Sequence, residues 1–565
     1  MLPFLTGSKA KREMQREFRG LNRRPGAAEN EFAAMENMTG AGYPLLASRS
    51  PRGRVRKLTK INGMLGGAQL CFVDGTDFFY EGACYGQVTD GEKLLVRMGG
   101  KILIFPDKLA FDTETYSFSP LENHVALTGV TLAPTFSDGT TLGSVTESGT
   151  QPGQPQDGML WLDTRSHTLK QYSAAQEQWA EVTGTRVALR GTGIGAGFRA
   201  GDGVRVSGTG VEELEGILLL EEATENEVVV TGLMARGKVI SGQVKLDRDV
   251  PDLVLATELN NRLWGVEEGS QELLACKLGD PTNWHVFAGV STDSYAVNVG
   301  SDGPFTGMCS FLGYALFFKE GWIHKLYGTK PADFQLTSTL ARGVEQGAWR
   351  TLCQVDDTLY YKGVDGVYAY DGSLPVRVSW DWDEAARKGL SAAEDKGRYV
   401  ICVQDATGDC ELLVYDPARG LWHREDGLQV RHMARADKET WMADSAEQVL
   451  WSRNGTLLTG HPGGMAMEGA VSWRAETADW NQKDAGKRTC TRLMIRAYLA
   501  EGSEMTAQLQ YDSDKQWHTA ARVTGTGKGT IEVPLFPRRC DHCRLALSGV
   551  GEAEIFSIAR DYLPG

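Results

Sequence analysis

The chain has 565 residues, long enough for about two to four domains of ordinary size. Its 73 acidic and 59 basic side chains give a net charge of −14, which argues against a general nucleic-acid-binding surface. With no run of 18 apolar residues, no secretory signal and ten scattered cysteines, we expect no membrane-spanning segment, reduced thiols and synthesis in the cytoplasm.

Residues 1–60 read as an irregular basic arm interrupted by proline and glycine, which we expect to lie across other structure. In "AAENEFAAMENM" (27–38), the spacing of Phe32, Met35 and Met38 predicts two or three helical turns. The arm's basic residues suit either a solvated arm or docking on an acidic partner. The candidate assembly residues are Arg12, Arg16, Arg19, Arg23 and Arg24.

Residues 61–119 and 251–465 repeat one pattern: an apolar strand, a turn with Gly or Asp, and a second strand. The units recur at a spacing of roughly 40–55 residues, within the range of propeller blades. A single hairpin cannot bury both of its faces, so stacking successive sheets around an axis is a natural solution. The sequence therefore predicts an all-β protein with a β-propeller core of about six or seven blades.

The remaining segments predict further β modules. Residues 120–250 are turn-rich and indicate one or two small β domains inserted into the propeller, one of them a compact unit at 159–182. Residues 466–565 alternate apolar and polar side chains over strands of five to eight residues. This alternation is typical of a half-exposed antiparallel sheet, and it predicts a C-terminal, jelly-roll-like β-sandwich.

Several motifs were weighed as reactive sites and none predicts chemistry strongly. Cys540 and Cys543 lack the second cysteine pair of a structural zinc site, and on a continuous strand they would face opposite sides unless a turn intervenes. Asp381, Asp383 and Glu384 suit a helix cap better than a glycosidase pair. We therefore predict no catalytic residue, no metal and no cofactor.

The segment "NNRLWGVEEGSQELLACKLGDPTNW" (260–284) raises the question of whether Asp280 and Asn283 are reactive groups. Asp280 precedes Pro281, which suits an Asx turn at the end of a strand. Apolar residues such as Leu263 and Leu273 supply sheet packing, and "EEGSQ" supplies a hairpin turn. The sequence favours a structural role for this segment.

This segment also resembles an element of a family of bacteriophage tail proteins, the nozzle, hub or stabilization proteins. So does the arm, through "FRGLNRRPGAAENEFAAMENMTGAGYPLLASRSPRG". The resemblance covers about 35 residues of the arm and about 25 residues at 260–284. Its signature residues in the second segment are Asn261, Arg262, Leu263, Trp264, Lys277, Leu278, Gly279, Asp280, Pro281 and Trp284.

The resemblance implies a β-propeller virion protein without enzymatic activity, located in the tail and assembled in the cytoplasm of a host bacterium. Its partners would be further copies in a ring, the portal or adaptor, and other tail proteins, with possible host-surface contact. The ring would enclose the DNA channel and help to retain and eject the genome. An acidic lining would repel DNA phosphates and so prevent sticking during passage.

Two other function classes stay open at this point. One is a receptor-binding or carbohydrate-binding tail protein, in which exposed tryptophans stack on sugars; its candidates are Trp161, Trp179, Trp473 and Trp480. The other is a propeller glycoside hydrolase that acts on host-surface polysaccharide through Asp381, Asp383 or Glu384. Binding to glycans and hydrolysis of glycans, respectively, distinguish these classes from the structural one.

Overall fold

The computed structural model describes residues 10–382, 387–456, 466–481, 486–525, 527–535 and 537–563. The chain is 55% strand and 2% helix, so the predicted all-β class is confirmed. In the described ranges the helical elements are three short 3-10 turns at Glu212–Leu214, Pro331–Asp333 and Trp349–Thr351. None of the helices found there is long and apolar enough to cross a membrane.

Seven antiparallel sheets form the blades of a β-propeller within the described part of the chain. Blade 1 consists of Ile61–Leu65, Cys71–Asp74, Asp77–Tyr80 and Ala83–Gln87. Blade 2 consists of Leu94–Met98, Lys101–Phe105, Leu109–Asp112 and Ser117–Pro120. Blade 3 consists of Leu253–Leu259, Arg262–Glu267, Glu272–Ala275 and Tyr295–Asn298. Blade 4 consists of Gly307–Phe311, Tyr314–Lys319, Trp322–Tyr327 and Gln335–Leu340. Blade 5 consists of Cys353–Val355, Thr358–Gly363, Gly366–Tyr370 and Val376–Arg377. Blade 6 is Lys388–Asp395, Arg398–Gln404, Cys410–Asp416 and Leu421–Arg424. Blade 7 is Val430–Ala436, Glu439–Asp444, Val449–Ser452, Gly53–Lys57 and Ala466–Met467.

The propeller closes through the arm. Gly53–Lys57 pairs antiparallel with Val449–Ser452, so the last blade joins both ends of the propeller sequence. The first strands of blades 1 to 4 contact one another in turn, as do those of blades 5, 6, 7 and 1, which places the first strands around the axis. Because strand direction alternates, all connections from one blade to the next leave from one end, here called the connection face.

The insert forms two units. A closed six-stranded barrel consists of Asn123–Thr135, Arg186–Arg190, Gly203–Ser207, Gly216–Thr224, Glu227–Thr231 and Lys238–Arg248. Between its first two strands lies a four-stranded sheet of Val145–Ser148, Leu160–Asp163, Thr168–Ser173 and Gln178–Glu181. Closure leaves the barrel without edge strands, which lets it fold as a module on the side of the propeller.

The C-terminal sandwich is built from both ends of the chain. One sheet contains Lys11–Gln15, Met38–Thr39, Leu46–Ser48, Arg488–Leu499, Gly527–Val533, Arg539–Cys540 and Ala553–Leu563. The other contains Phe32–Glu36, Ser472–Thr477, Glu504–Tyr511, His518–Thr524 and Cys543–Val550. Side chains of both sheets share one hydrophobic core, which continues into blades 5 and 6.

The helical turns predicted in the arm are wrong. Residues Phe32–Glu36 form an edge strand that pairs with Ser472–Thr477, and Met38–Thr39 is a second short strand. A register shift between Phe32 and Ala34 lets Phe32 and Met35 both face the core, although they are three residues apart. Tertiary pairing has therefore overridden a helix-like spacing.

Candidate functional site

Polar side chains that precede or begin the first strands of three blades meet on the connection face of the propeller. Glu92 lies just before the first strand of blade 2, Arg350 just before that of blade 5, and His432 near the start of that of blade 7. Arg350 Nη2 donates to Glu92 Oε1 at 2.5 Å, and His432 Nε2 lies 3.3 Å from the same oxygen. Residues far apart in sequence thus form one polar cluster at the propeller axis.

The cluster controls the charge of Glu92. Desolvation by its neighbours would raise the pKa of Glu92, but the hydrogen bond from His432 and the charge of Arg350 together lower it below its usual range. Burial lowers the pKa of His432, so its imidazole stays neutral at pH 7 despite the carboxylate beside it. Glu92 is therefore a persistent carboxylate.

A second carboxylate on this face has the opposite tendency. Glu345 lies in the same connection as Arg350, five residues earlier, and burial raises the pKa of its carboxyl group even though Lys362 Nζ lies 3.4 Å away. A side chain at Gly343 would meet the carbonyl oxygen of Lys319 at 2.1 Å, so glycine is needed where this connection passes blade 4. Two carboxyl groups whose pKa values are shifted apart are the arrangement that acid and base catalysis uses.

A cavity of about 270 Å³ opens beside this connection. Its walls include Glu268, Phe305, Gln346 and Trp349, from blades 3 and 4 and from the connection itself. Apolar walls with a few polar groups are typical of small-ligand sites. Two of its lining residues, Gln346 and Trp349, are the sequence neighbours of Glu345 and Arg350.

The signature segment forms a different kind of site, a buried junction between blade 3 and the inserted barrel. Asn283 is fully buried. Its side-chain Nδ2 donates to Asp202 Oδ1 at 3.0 Å and to Asp280 Oδ2 at 2.7 Å. Its side-chain Oδ1 accepts a hydrogen bond from the Gly203 N–H at 3.0 Å. Lys277 Nζ donates to the Gly201 carbonyl at 2.7 Å. Residues 201–203 belong to the barrel, so the segment binds one module to the other.

The rest of the signature segment maintains the blade. The Asx turn predicted at Asp280 is present, since Oδ1 accepts the Thr282 N–H at 3.0 Å. Arg262 is buried and donates to the backbone carbonyls of Cys276 and Ser291 at 2.9 and 2.7 Å. The other residues occupy blade positions: Leu263, Trp264, Pro281 and Trp284 are buried, Leu278 is exposed, and Asn261 and Gly279 have positive φ in turns.

Three of the five candidate arm arginines contact residues far away in the sequence of this chain. Arg12 pairs with Asp561 at 2.7 and 2.8 Å, Arg23 pairs with Glu411 at 2.6 and 3.1 Å, and Arg24 donates to the Trp380 carbonyl at 2.7 Å. Arg16 and Arg19 are exposed and their side chains contact neighbouring arm residues: Arg16 Nε donates to Met14 Sδ at 2.9 Å, and Arg19 lies 3.8 Å from Glu17. The prediction of assembly contacts now bears mainly on Arg16 and Arg19.

The four tryptophans that the sequence offered for sugar binding are less exposed than expected. Trp161, Trp473 and Trp480 are buried, so the prediction that they are exposed and stack on sugars is wrong. Trp179 is half-buried, with its ring centroid 5.3 Å from that of Trp161. Trp473 and Trp480 pack in the core of the sandwich. Trp161 and Trp179 instead pack against each other on the face of the four-stranded sheet opposite its core residues Leu160 and Leu162.

Of the three acidic candidates Asp381, Asp383 and Glu384, the structure describes Asp381. Asp381 lies 3.9 Å from Arg24, and its backbone carbonyl accepts the Arg23 N–H. Asp383 and Glu384 lie outside the described residues. Asp381 is therefore part of the contact between arm and propeller.

Sequence reasoning missed one group with metal-ligand character. Glu122, His124 and Asp249 place one ligand atom each within 4.8 Å of the others, at the two crossings between propeller and barrel. Lys108 already pairs with Glu122 at 2.7 Å and Arg205 with Asp249 at 3.4 Å. Their sequence separation hid this group, since only barrel closure brings 122 and 249 together.

No known protein family and no curated protein matches the sequence. Solved structures share the β-rich architecture at low similarity. An exo-β-1,3-galactanase from Phanerochaete chrysosporium bound to galactose is 8% identical and has a TM-score of 0.23, with 54% of this chain and 95% of that chain covered. A glutaminyl cyclase from Myxococcus xanthus is 13% identical with a TM-score of 0.21, covering 38% and 90%, and a glycoside hydrolase is 11% identical with a TM-score of 0.18, covering 53% and 83%.

These matches correct one expectation. The prediction that the chain has no enzymatic activity is contradicted, because glycoside hydrolases stand among the matched structures. Likenesses this weak carry no argument about a substrate. None of the matched structures named is a phage tail protein, and the resemblance to tail proteins stays a prediction.

Proposed function

We propose that the chain is a structural component of a tailed-phage virion, where copies of it form a ring at the connector or tail around the DNA channel. The observation that carries the proposal is the buried junction at Asn283. The residues that resemble the tail-protein element lie in the segment that binds the barrel to the propeller. The segment therefore has a structural task within the chain, as expected for a structural protein.

The path of the arm supports the same function. It supplies strands to both sheets of the sandwich and one strand to blade 7, so it connects the sandwich to the propeller. Arg16 and Arg19 remain exposed for contact with the portal, an adaptor or a neighbouring copy. The net charge of −14 suits a channel through which DNA passes without sticking.

The test is a deletion of the gene in its phage, followed by mass spectrometry and electron microscopy of the purified particles. We expect the chain in wild-type virions at a fixed copy number, and particles that lack tails or leak DNA in the deletion. Complementation with Asn283→Ala should fail, whereas Asn298→Ala, on an exposed strand position, should restore infectivity. Absence of the chain from wild-type particles contradicts the proposal.

A second candidate function rests on the carboxyl pair of the connection face. We propose that Glu345 acts as the general acid and Glu92 as the carboxylate base or nucleophile in hydrolysis of a glycosidic bond. The raised pKa of Glu345 and the lowered pKa of Glu92 favour these separate roles. The cavity on the same face, lined by Gln346 and Trp349, is large enough for a sugar ring.

The test is release of reducing ends from host-surface polysaccharide by the purified protein. Glu345→Gln and Glu92→Gln should each lower the rate by at least about a hundredfold, since each removes a proton-transfer or charge-stabilising group. Asp381→Ala is the matched control and should retain activity. Activity that depends on Asp381 but not on Glu345 contradicts this assignment.

A further inference from the structure

Cys540 and Cys543 lie on opposite sheets of the C-terminal sandwich, at the point where the chain crosses from one sheet to the other. Cys540 pairs with Arg488 in one sheet, and Cys543 pairs with Tyr511 in the other. On a continuous strand the two side chains would face apart, but the turn that the sequence left open is present at residues 541 and 542. Both side chains are buried in the shared core. Both are free thiols.

The crossing is held in place by the loop at Asp512. Asp512 Oδ1 accepts the Asp541 N–H at 2.7 Å, and the Asp512 N–H donates to the His542 carbonyl at 3.0 Å. Ser513 Oγ lies 2.7 Å from His542 Nε2. Backbone and side chain of the turn are thus both fixed, which holds the crossing that carries Cys540 and Cys543 in place.

Both thiols lie in the shared core at the point where the chain crosses between the two sheets. The hydrogen bond from Cys543 lowers the pKa of Cys540, whereas the same contact raises the pKa of Cys543. One thiol is therefore prepared to act as the attacking thiolate and the other to remain protonated until it is needed. The half-buried Cys490 lies two residues from Arg488, the strand partner of Cys540.

We propose that Cys540 and Cys543 form a reversible disulfide that covalently joins the two sheets of the sandwich. With a low-molecular-weight disulfide such as oxidised glutathione, the Cys540 thiolate attacks one sulfur, breaks the S–S bond and releases one glutathione thiolate. Cys543 then loses its proton, attacks the Cys540 sulfur and releases the second glutathione. The two cysteines give up two electrons and two protons, and both appear in two molecules of reduced glutathione.

The experiment incubates the full chain under native conditions with oxidised glutathione, then alkylates remaining thiols under denaturing conditions and maps the peptides. We expect the peptide that contains both cysteines to carry no alkyl group, because the disulfide blocks alkylation. Its mass should be about 2 Da below that of the reduced, unlabelled peptide. Dithiothreitol should reverse this change. Cys71 and Cys276, buried in separate blades, should remain fully alkylated.

Two variants identify the partner. Cys490→Ser should still form the disulfide, whereas Cys543→Ser should leave Cys540 as a mixed disulfide with glutathione. Near-ultraviolet circular dichroism checks that each variant is folded, and the wild-type map and Cys490→Ser decide the question if Cys543→Ser does not fold. A disulfide between Cys490 and Cys540, or full alkylation of Cys540 and Cys543 in oxidised wild type, overturns the proposal.

Discussion

The junction around Asn283 and the connection face around Glu92 and Glu345 are both polar, yet they use polarity differently. At the junction, the amide and carbonyl of Asn283 bind groups of two modules in a buried network. On the connection face, burial shifts one carboxyl group toward protonation while basic neighbours keep the other ionised. Complete pairing stabilises a structure, whereas opposed protonation preferences permit chemistry.

The largest effect is expected from Asp202→Ala. Asp202 pairs with Arg248 at 2.6 Å, and both side chains are nine-tenths or more buried. Removing the carboxylate leaves a buried guanidinium without its charge partner, so unfolding free energy should fall by about 3–5 kcal/mol. Urea denaturation measures it, with Asp249→Ala, whose pair with Arg205 is exposed, as the control at about 0–1 kcal/mol. If both variants lose the same unfolding free energy, the buried pair of Asp202 stabilises the protein no more than the exposed pair of Asp249 does, and the prediction is wrong.

Asn283→Ala should cost about 2 kcal/mol, because it leaves the buried Gly203 N–H and one oxygen each of Asp202 and Asp280 without a partner. Scanning calorimetry measures the shift. In addition, limited proteolysis should cut the barrel from the propeller faster in this variant than in Asn298→Ala. A destabilised protein whose barrel is no more accessible to protease contradicts the role of Asn283 as a link between modules.

The pH dependence of stability should have opposite signs for the two carboxyl groups. A raised folded-state pKa means that the Glu345 contribution is fully present below its ordinary pKa and is lost as pH rises through the folded value. For Glu92 the lowered pKa means a contribution present above the ordinary pKa and lost as pH falls through the folded value.

Urea denaturation of Glu345→Gln and Glu92→Gln, each against wild type from about pH 3 to 8, measures these slopes. Relative to wild type, Glu345→Gln should gain stability as pH rises, and Glu92→Gln should lose it. Slopes of the same sign would remove the basis for assigning acid and base roles.

The smallest effect is expected at the contact between arm and propeller. Arg23→Ala removes a bidentate pair with Glu411 that is partly exposed, so unfolding free energy should fall by only about 1 kcal/mol. Arg19→Ala, whose side chain is half exposed, is the control and should leave the thermal midpoint unchanged. A loss at Arg23 as large as that at Asp202 would make the arm as important to the fold as the junction.

Local sequence pattern predicted correctly those elements whose structure depends on neighbouring residues. Alternation and turn residues predicted the strands of the propeller and of the C-terminal sandwich, and Asp280 before Pro281 predicted an Asx turn that is present. Patterns failed where pairing with distant strands decided the outcome. Met35 lies on a strand because Ser472–Thr477 offers an open edge, and Trp473 is buried because a second sheet covers it.

By itself, the sequence determined the all-β class, the repeated blade pattern and the polar residues that end strands, because these depend on side-chain periodicity and turn chemistry within a few residues. Tertiary structure alone decided that Asn283 would meet Asp202, that Glu92 would meet Arg350 and His432, and that Cys540 would face Cys543. These groups come from different blades, modules or sheets, and their partners are set by closure of the propeller, the barrel and the sandwich. Burial then raises the pKa of Glu345, and the neighbours that folding supplies lower that of Glu92, which no local pattern contains.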